Sequence, residues 1–326
     1  MDFQTKILLL TFAITIVIAI IIIPILRRLK VGQMEREDGP ESHRKKQGTP
    51  TMGGIIMMIA IAIVSIGAYL YYIRKGEIET AKNLVPIVLL TMGFGIVGFV
   101  DDFIKLILKN TKGLKPSFKM LGLLFISVAY VLYLTKGIGM STETYIPILK
   151  QYVGIPIYAY IPFAVLVLLA TTNAVNLTDG IDGLSSSVCT IIITCLAIIA
   201  TILGIKEIVI VCSIAIGAVL GFLMFNLHPA KVFMGDTGSL FLGGLISGVA
   251  LYLKMPLLLL LIALVPVIET ISVILQVMHF KRTGNRLFKM APIHHHFELS
   301  GWKENKVVVI FSLVTLILCV ISLQII

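Results

Sequence analysis

The acids come in three clusters. Asp101 and Asp102 are adjacent. Asp179 and Asp182 lie in Asn176-Leu-Thr-Asp-Gly-Ile-Asp-Gly183, and Asp236 lies in Phe233-Met-Gly-Asp-Thr-Gly-Ser239. Each sits beside glycine or at the edge of an apolar run. One acid in such a place is an ordinary solvated cap. Three clusters that converge make an all-oxygen site suited to Mg²⁺, which takes one or two carboxylates together with waters and substrate phosphates. Basic residues stand nearby. His43-Arg-Lys-Lys46 precedes Gly48-Thr-Pro-Thr-Met-Gly-Gly54, and Lys105, Lys115 and Lys119 follow the acidic pair. Cations beside carboxylates suit a substrate that bears phosphates. Singly, they are equally explained as membrane-side charge. The glycine-rich stretch 48–54 lacks the lysine of a P-loop.

A third feature is the run Ala291-Pro-Ile-His294-His-His-Phe-Glu298. Three consecutive side chains point in different directions, which disfavours one shared zinc ion. Contact with phosphate or sugar, or local acid–base work, suits them better. Glu269 and Gln276 fall inside an apolar run, where polar groups are functional candidates or hydrogen-bonded helix contacts. Gly244 and Gly248 have the spacing of a helix-packing surface.

These residues need a scaffold, and the composition says which kind. Of 326 residues 58% are hydrophobic and 13% charged, against about a quarter charged in soluble domains. Mean hydropathy is +1.02. The expected fold is an all-α polytopic membrane protein: a single integral membrane catalytic domain, 1–326, of about ten transmembrane helices. The apolar runs fall at 5–26, 52–73, 84–100, 117–135, 158–176, 183–203, 207–226, 237–253, 256–279 and 304–325. A span needs about 20 residues. Loops 27–51, 101–119, 176–183, 226–236 and 279–303 hold 18 of the 27 Lys and Arg residues. The positive-inside rule assigns these loops to the cytoplasm and both termini to the outside. The net charge of +10 then reflects cytoplasmic loops rather than nucleic-acid binding, and no nucleic-acid partner is expected. Cys189, Cys195, Cys212 and Cys319 lie in apolar runs and read as packing residues. Loop 136–157 reads as a short hairpin or a re-entrant edge, and no cleavable signal is evident.

In order along the chain, 48–54, Asp101-Asp102, 176–183, Phe233-Met-Gly-Asp236 and Pro292-Ile-His-His-His-Phe297 resemble the phospho-N-acetylmuramoyl-pentapeptide transferases. These belong to the polyprenyl-phosphate N-acetylhexosamine-1-phosphate transferase superfamily. Each motif is weak alone; the ordered set, covering nearly the whole chain, is specific. The resemblance implies a ten-helix bundle in the bacterial plasma (inner) membrane with a cytoplasmic active-site cleft, usually as a homodimer. It implies transfer of phospho-MurNAc-pentapeptide from UDP-MurNAc-pentapeptide to undecaprenyl phosphate, with Mg²⁺ as cofactor and UMP as the leaving product. By motif it makes Asp236 the metal ligand and a catalytic residue, and Asp101 and Asp102 the acidic pair near the acceptor phosphate. Asn176, Asp179, Gly180, Ile181 and Asp182 become a nucleoside-binding loop, with Phe233 stacking on uracil. Lys46, Lys105, Lys119, Asn226, Gln276, His294 and His295 would line the cleft, His294 among the catalytic groups.

Two other readings remain in view. A sister enzyme that transfers GlcNAc-1-phosphate from UDP-GlcNAc would share the acids and the nucleoside loop. The triple histidine favours the muramoyl branch, by resemblance. A transporter would scatter polar groups through mid-bilayer, whereas here they crowd one membrane face.

Overall fold

The computed structural model describes residues 2–29, 48–106, 108 and 113–326. Ten long helices follow one another among the described residues: α1 (Phe3–Arg28), α2 (Gly54–Arg74), α3 (Ile78–Leu106), α4 (Pro116–Leu132), α5 (Ile157–Thr178), α6 (Leu184–Ile202), α7 (Lys206–Asn226), α8 (Gly235–Tyr252), α9 (Leu264–Thr283) and α10 (Glu304–Ile325). Nine are long and apolar enough to cross a membrane. The chain is an all-α, multi-pass membrane protein.

The exception, α8, is the centre of the bundle. Every residue from Thr237 to Leu251 is buried, with α3 and α5 packed along it. A helix surrounded by protein needs small residues for close approach more than it needs apolar bulk. A Cβ at Gly244 would come within 2.7 Å of the Phe94 ring, and one at Gly248 within 2.4 Å of Leu90. The glycine spacing is therefore a packing surface for α3, as expected from sequence. Around this core α1 lies on α7, and α6 lies between α7 and α10.

Two spans depart from the apolar runs that announced them. The run 84–100 is the middle of a longer helix, Ile78–Leu106, whose last turns carry Asp101 and Asp102. Glu79 near its start and Lys105 near its end complement the helix dipole and let it extend past the apolar stretch. The run 256–279 is broken. Residues 256–262 form a 3₁₀ turn and a short helical piece, and α9 begins at Leu264. Pro266 sits in the first turn of α9, where its missing N–H costs nothing.

The expected hairpin is present: β1 (Glu143–Ile146) pairs antiparallel with β2 (Gln151–Gly154). Tyr145 ties it to the chain end, its hydroxyl donating to the Ile325 carbonyl at 2.7 Å. At the other terminus Phe3 stacks on Tyr71 near the end of α2. Both described termini thus lie at the end of the bundle away from Asp101 and Asp102.

Candidate active site

The acids converge where α3 and α5 end and α8 begins. Asp101 and Asp102 are consecutive on α3, so their side chains diverge by about 100°, and they enter different surroundings. The Asp101 carboxylate accepts from Lys105 Nζ at 2.7 Å, from Lys119 Nζ at 3.5 Å and from the Leu114 backbone N–H at 2.7 Å. Lys105 and Lys119 also reach Asp236 Oδ2, at 3.1 and 2.8 Å. Two carboxylates and two ammoniums from three helices therefore share one cluster. Asn176, in the last turn of α5, fixes the other Asp236 oxygen with an N–H donated at 2.8 Å, and donates to Ser239 Oγ at 2.8 Å.

Asp102 points instead into the start of α8. Its carboxylate accepts from the Thr237 hydroxyl at 2.6 Å, the Thr237 N–H at 2.9 Å and the Asp236 N–H at 3.3 Å. The first N–H groups of a helix have no partner within it and carry the positive end of its dipole. A carboxylate from a neighbouring helix satisfies both needs here. Asp102 thereby sets the turn from which Asp236 projects.

The loop 179–183 bridges α5 and α6 beside this cluster. Asp179 is pushed up to about 8 by burial, by the nearby carboxylates of Asp236 and Asp102, and by that of Asp182, with the Gly235 backbone partly opposing. Asp182 is buried; its carboxylate accepts the Ala230 N–H at 3.0 Å and lies 3.1 Å from His228 Nδ1. Ile181 is buried, and Phe233 is half-buried. The backbone around Phe233 is pinned to the glycine-rich stretch: its N–H donates to the Pro50 carbonyl, and its carbonyl accepts from Gly53, both at 2.8 Å.

The surroundings have known relatives. A model of glycosyl transferase family 4 matches residues 84–254. The phospho-N-acetylmuramoyl-pentapeptide-transferase of Clostridium botulinum (strain Alaska E43 / Type E3) is 48% identical over 315 residues, 97% of this chain and 94% of that protein. The protein of that name in Halalkalibacterium halodurans is 46% identical over 316 residues, 97% and 95% of the two chains. That of Acetivibrio thermocellus is 44% identical over 315 residues, 96% and 92%. The chain belongs to the phospho-N-acetylmuramoyl-pentapeptide transferase family.

Phosphoglycosyl transferases typically depend on a metal, and the carboxylates of Asp101 and Asp236 offer oxygen donors that are here paired with lysines. The donor atoms of Asp101 and Asp236 are all oxygens, and two ammonium groups already crowd them. A group of three ligand atoms that could hold a metal lies beside the 179–183 loop. Asp182, His228 and Glu304 each bring one within 4.8 Å of the others.

Several expected cleft residues are committed to the protein itself. Asn226 is buried; it accepts from Ser186 Oγ at 2.7 Å and donates to the Val232 carbonyl at 3.0 Å. Gln276 accepts from the N–H groups of Leu287 and Phe288, at 3.0 and 2.8 Å, and donates to the Phe288 carbonyl. Each holds loop backbone, Asn226 that of Val232 near Asp236 and Gln276 that of Leu287 and Phe288. His294 is fully buried, 3.1 Å from Glu269, while His295 lies 2.9 Å from Glu298. Lys46 falls outside the described residues.

Thr237, Ser239, His228 and Glu304 were not singled out from sequence. Thr237 and Ser239 lie in the Asp236 motif, which was their one signal. Glu304, at the start of an apolar run, reads as an ordinary cap, yet its Oε1 accepts the Asp182 N–H at 2.7 Å across 122 residues of sequence.

Proposed function

We propose that the chain transfers phospho-MurNAc-pentapeptide from its UDP ester to undecaprenyl phosphate, releasing UMP and forming the lipid-linked pyrophosphate. The observation that carries this reading is the shared cluster of Asp101, Asp236, Lys105 and Lys119 beside the 176–183 loop. The acceptor is a lipid, so the enzyme must meet it in the bilayer. The donor is a soluble anion, so its site must open to water. The Lys and Arg asymmetry of the loops argues that this water is the cytoplasm.

Donor and acceptor phosphates repel one another, and catalysis of phosphoryl transfer consists largely of positioning and charge stabilisation. The cluster, two carboxylates against two ammoniums, is near neutral. Phosphate oxygens compete for the ammoniums, and Lys105 and Lys119 exchange carboxylate partners for phosphate. The carboxylate of Asp236 would then be free to hold Mg²⁺, which would supply Lewis-acid stabilisation of the charge that develops on the phosphoryl oxygens. Asn176 orients Asp236, and Asp102 fixes the turn that carries it. Phe233 and the loop of Asp179, Gly180, Ile181 and Asp182 receive the nucleoside. An oxygen of the lipid phosphate attacks the phosphorus attached to the sugar, and the bond to UMP breaks. Asp101, beside both lysines, takes any proton still on the acceptor.

The test uses purified protein, Mg²⁺ and undecaprenyl phosphate with each of two donors, UDP-MurNAc-pentapeptide and UDP-GlcNAc. A lipid-linked product from the first and none from the second is expected. The reverse preference would move the chain to the GlcNAc-1-phosphate branch.

A further inference from the structure

Glu269 is fully buried within α9, as is His294 in the short helix Ile293–Glu298. A carboxylate inside a membrane bundle is costly unless paired. Its partner is His294, whose Nδ1 lies 3.1 Å from Glu269 Oε1 and whose backbone N–H reaches Oε2 at 3.4 Å. Nδ1 and Oε1 are in close contact without a hydrogen bond, and the one hydrogen bond between the two residues runs from the His294 backbone N–H to Oε2. The opposite nitrogen, Nε2, has no hydrogen-bond partner among the described residues.

What Nε2 meets is the nucleoside loop. A Cβ built on Gly180 would lie 2.1 Å from His294 Nε2 and 2.7 Å from Cε1. The Gly180 backbone is not in the left-handed region, so glycine is required there by the imidazole and not by the turn. The ring of His295 closes the other side, its centroid 4.1 Å from that of His294. Glu269, His294 and Gly180 therefore form a continuous contact from the bundle interior to the loop.

We infer that Glu269 is a positioning residue for nucleotide binding: it holds the His294 imidazole as a strut against Gly180 and so sets the height of the 179–182 loop. This inference rests on the reading of that loop as the nucleoside site. A group that only filled space would be replaced by its neutral isostere without consequence, whereas a charge that holds an imidazole would not.

The experiment measures UMP affinity of the full-length protein in detergent, which needs no turnover. Glu269→Gln should weaken UMP binding at least about tenfold, or about 1.4 kcal/mol, with thermal stability and the KM for undecaprenyl phosphate unchanged. Gly180→Ala should weaken it similarly by colliding with His294. Adding His294→Ala removes the collision, so the Gly180→Ala penalty should shrink severalfold on that background. Wild-type UMP affinity in Glu269→Gln would overturn the inference. So would a Gly180→Ala penalty that is the same with and without His294, a comparison that stands even if one Glu269 variant misfolds. If wild-type protein binds UDP-MurNAc-pentapeptide and UMP but these variants match it, the strut alone fails. If wild-type protein binds no UMP, the nucleoside reading and the strut fail together.

Discussion

Removing the Asp102 carboxylate should loosen the start of α8 before it affects any substrate contact. Asp102 is 5% exposed and accepts two strong bonds from Thr237, at 2.6 and 2.9 Å, and a longer one from the Asp236 N–H at 3.3 Å. Bonds to a charged acceptor contribute about 1.5–3 kcal/mol each. The two short ones give roughly 3–6 kcal/mol, offset by the cost of keeping the carboxylate out of water, several kcal/mol per buried ion. A net loss of about 2–4 kcal/mol is expected for Asp102→Ala, which strands two backbone N–H groups. Asp102→Asn keeps one acceptor and should lose about 1–2 kcal/mol, within the range of a lost helix cap. At roughly 2 °C per kcal/mol for a large chain, Tm in detergent should fall by about 4–8 °C in the Ala variant and about half that in the Asn variant. Turnover should fall too, because the same turn carries Asp236. The control is Thr237→Val: combined with Asp102→Ala it should be non-additive by about 1 kcal/mol or more, as for partners in one network. An unchanged Tm in Asp102→Ala, or strict additivity with Thr237→Val, would refute the capping role and return Asp102 to the substrate.

Asp101→Asn should keep donor affinity and lose turnover, and part of the activity should return at higher pH, where the lipid phosphate sheds its own second proton, of pKa about 6; no recovery up to pH 9 would argue against a base at this position. Phe233→Ala should weaken UMP by about 1–3 kcal/mol, the scale of base stacking on an aromatic; a loss of Tm with unchanged affinity would make it a packing residue. Asp179 is raised to about 8, so its neutral form is favoured by folding, and the stability it contributes disappears as pH climbs through that value. In metal-free buffer Tm should therefore decline between about pH 5 and pH 8 and level off above it, and Asp179→Asn should flatten that decline; parallel curves for the two proteins would exclude Asp179 as the titrating group.

Much of this arrangement is legible in the sequence, for reasons that differ by residue. The spans follow from apolar run length, and even α8 is visible despite its glycines, because a central helix still repeats apolar and small residues. The hairpin at 143–154 is only half visible, in the Tyr145-Ile-Pro-Ile-Leu and Val153-Gly-Ile-Pro-Ile stretches, which fit a re-entrant edge equally well. The acids, the lysines and the 176–183 loop carry their motifs in linear order. What linear order cannot carry is partnership. The 100° step of a helix already separates the adjacent Asp101 and Asp102, but which of them faces two lysines and which caps α8 depends on where α8 starts. Asn226 and Gln276 read as cleft-lining polar groups, yet their amides hold loop backbone. His294 reads as a catalytic histidine lining the cleft, and only the tertiary fold shows it buried against Glu269 and Gly180. The helix ends at Leu106 and Leu264 escape hydropathy because charge complementing a dipole and a proline in a first turn decide them.

The most direct test of the account is UMP release by the purified protein, with Mg²⁺ titrated and undecaprenyl phosphate supplied or withheld, for wild type and Asp236→Asn. Wild type should release UMP over many turnovers only when both metal and lipid are present. Asp236→Asn should be slower by at least about 100-fold, the scale of a lost catalytic metal contact. Near-normal turnover in that variant with unchanged Mg²⁺ dependence would contradict the placement of the metal at Asp236, and a stoichiometric burst of UMP without lipid would contradict direct attack by the acceptor phosphate.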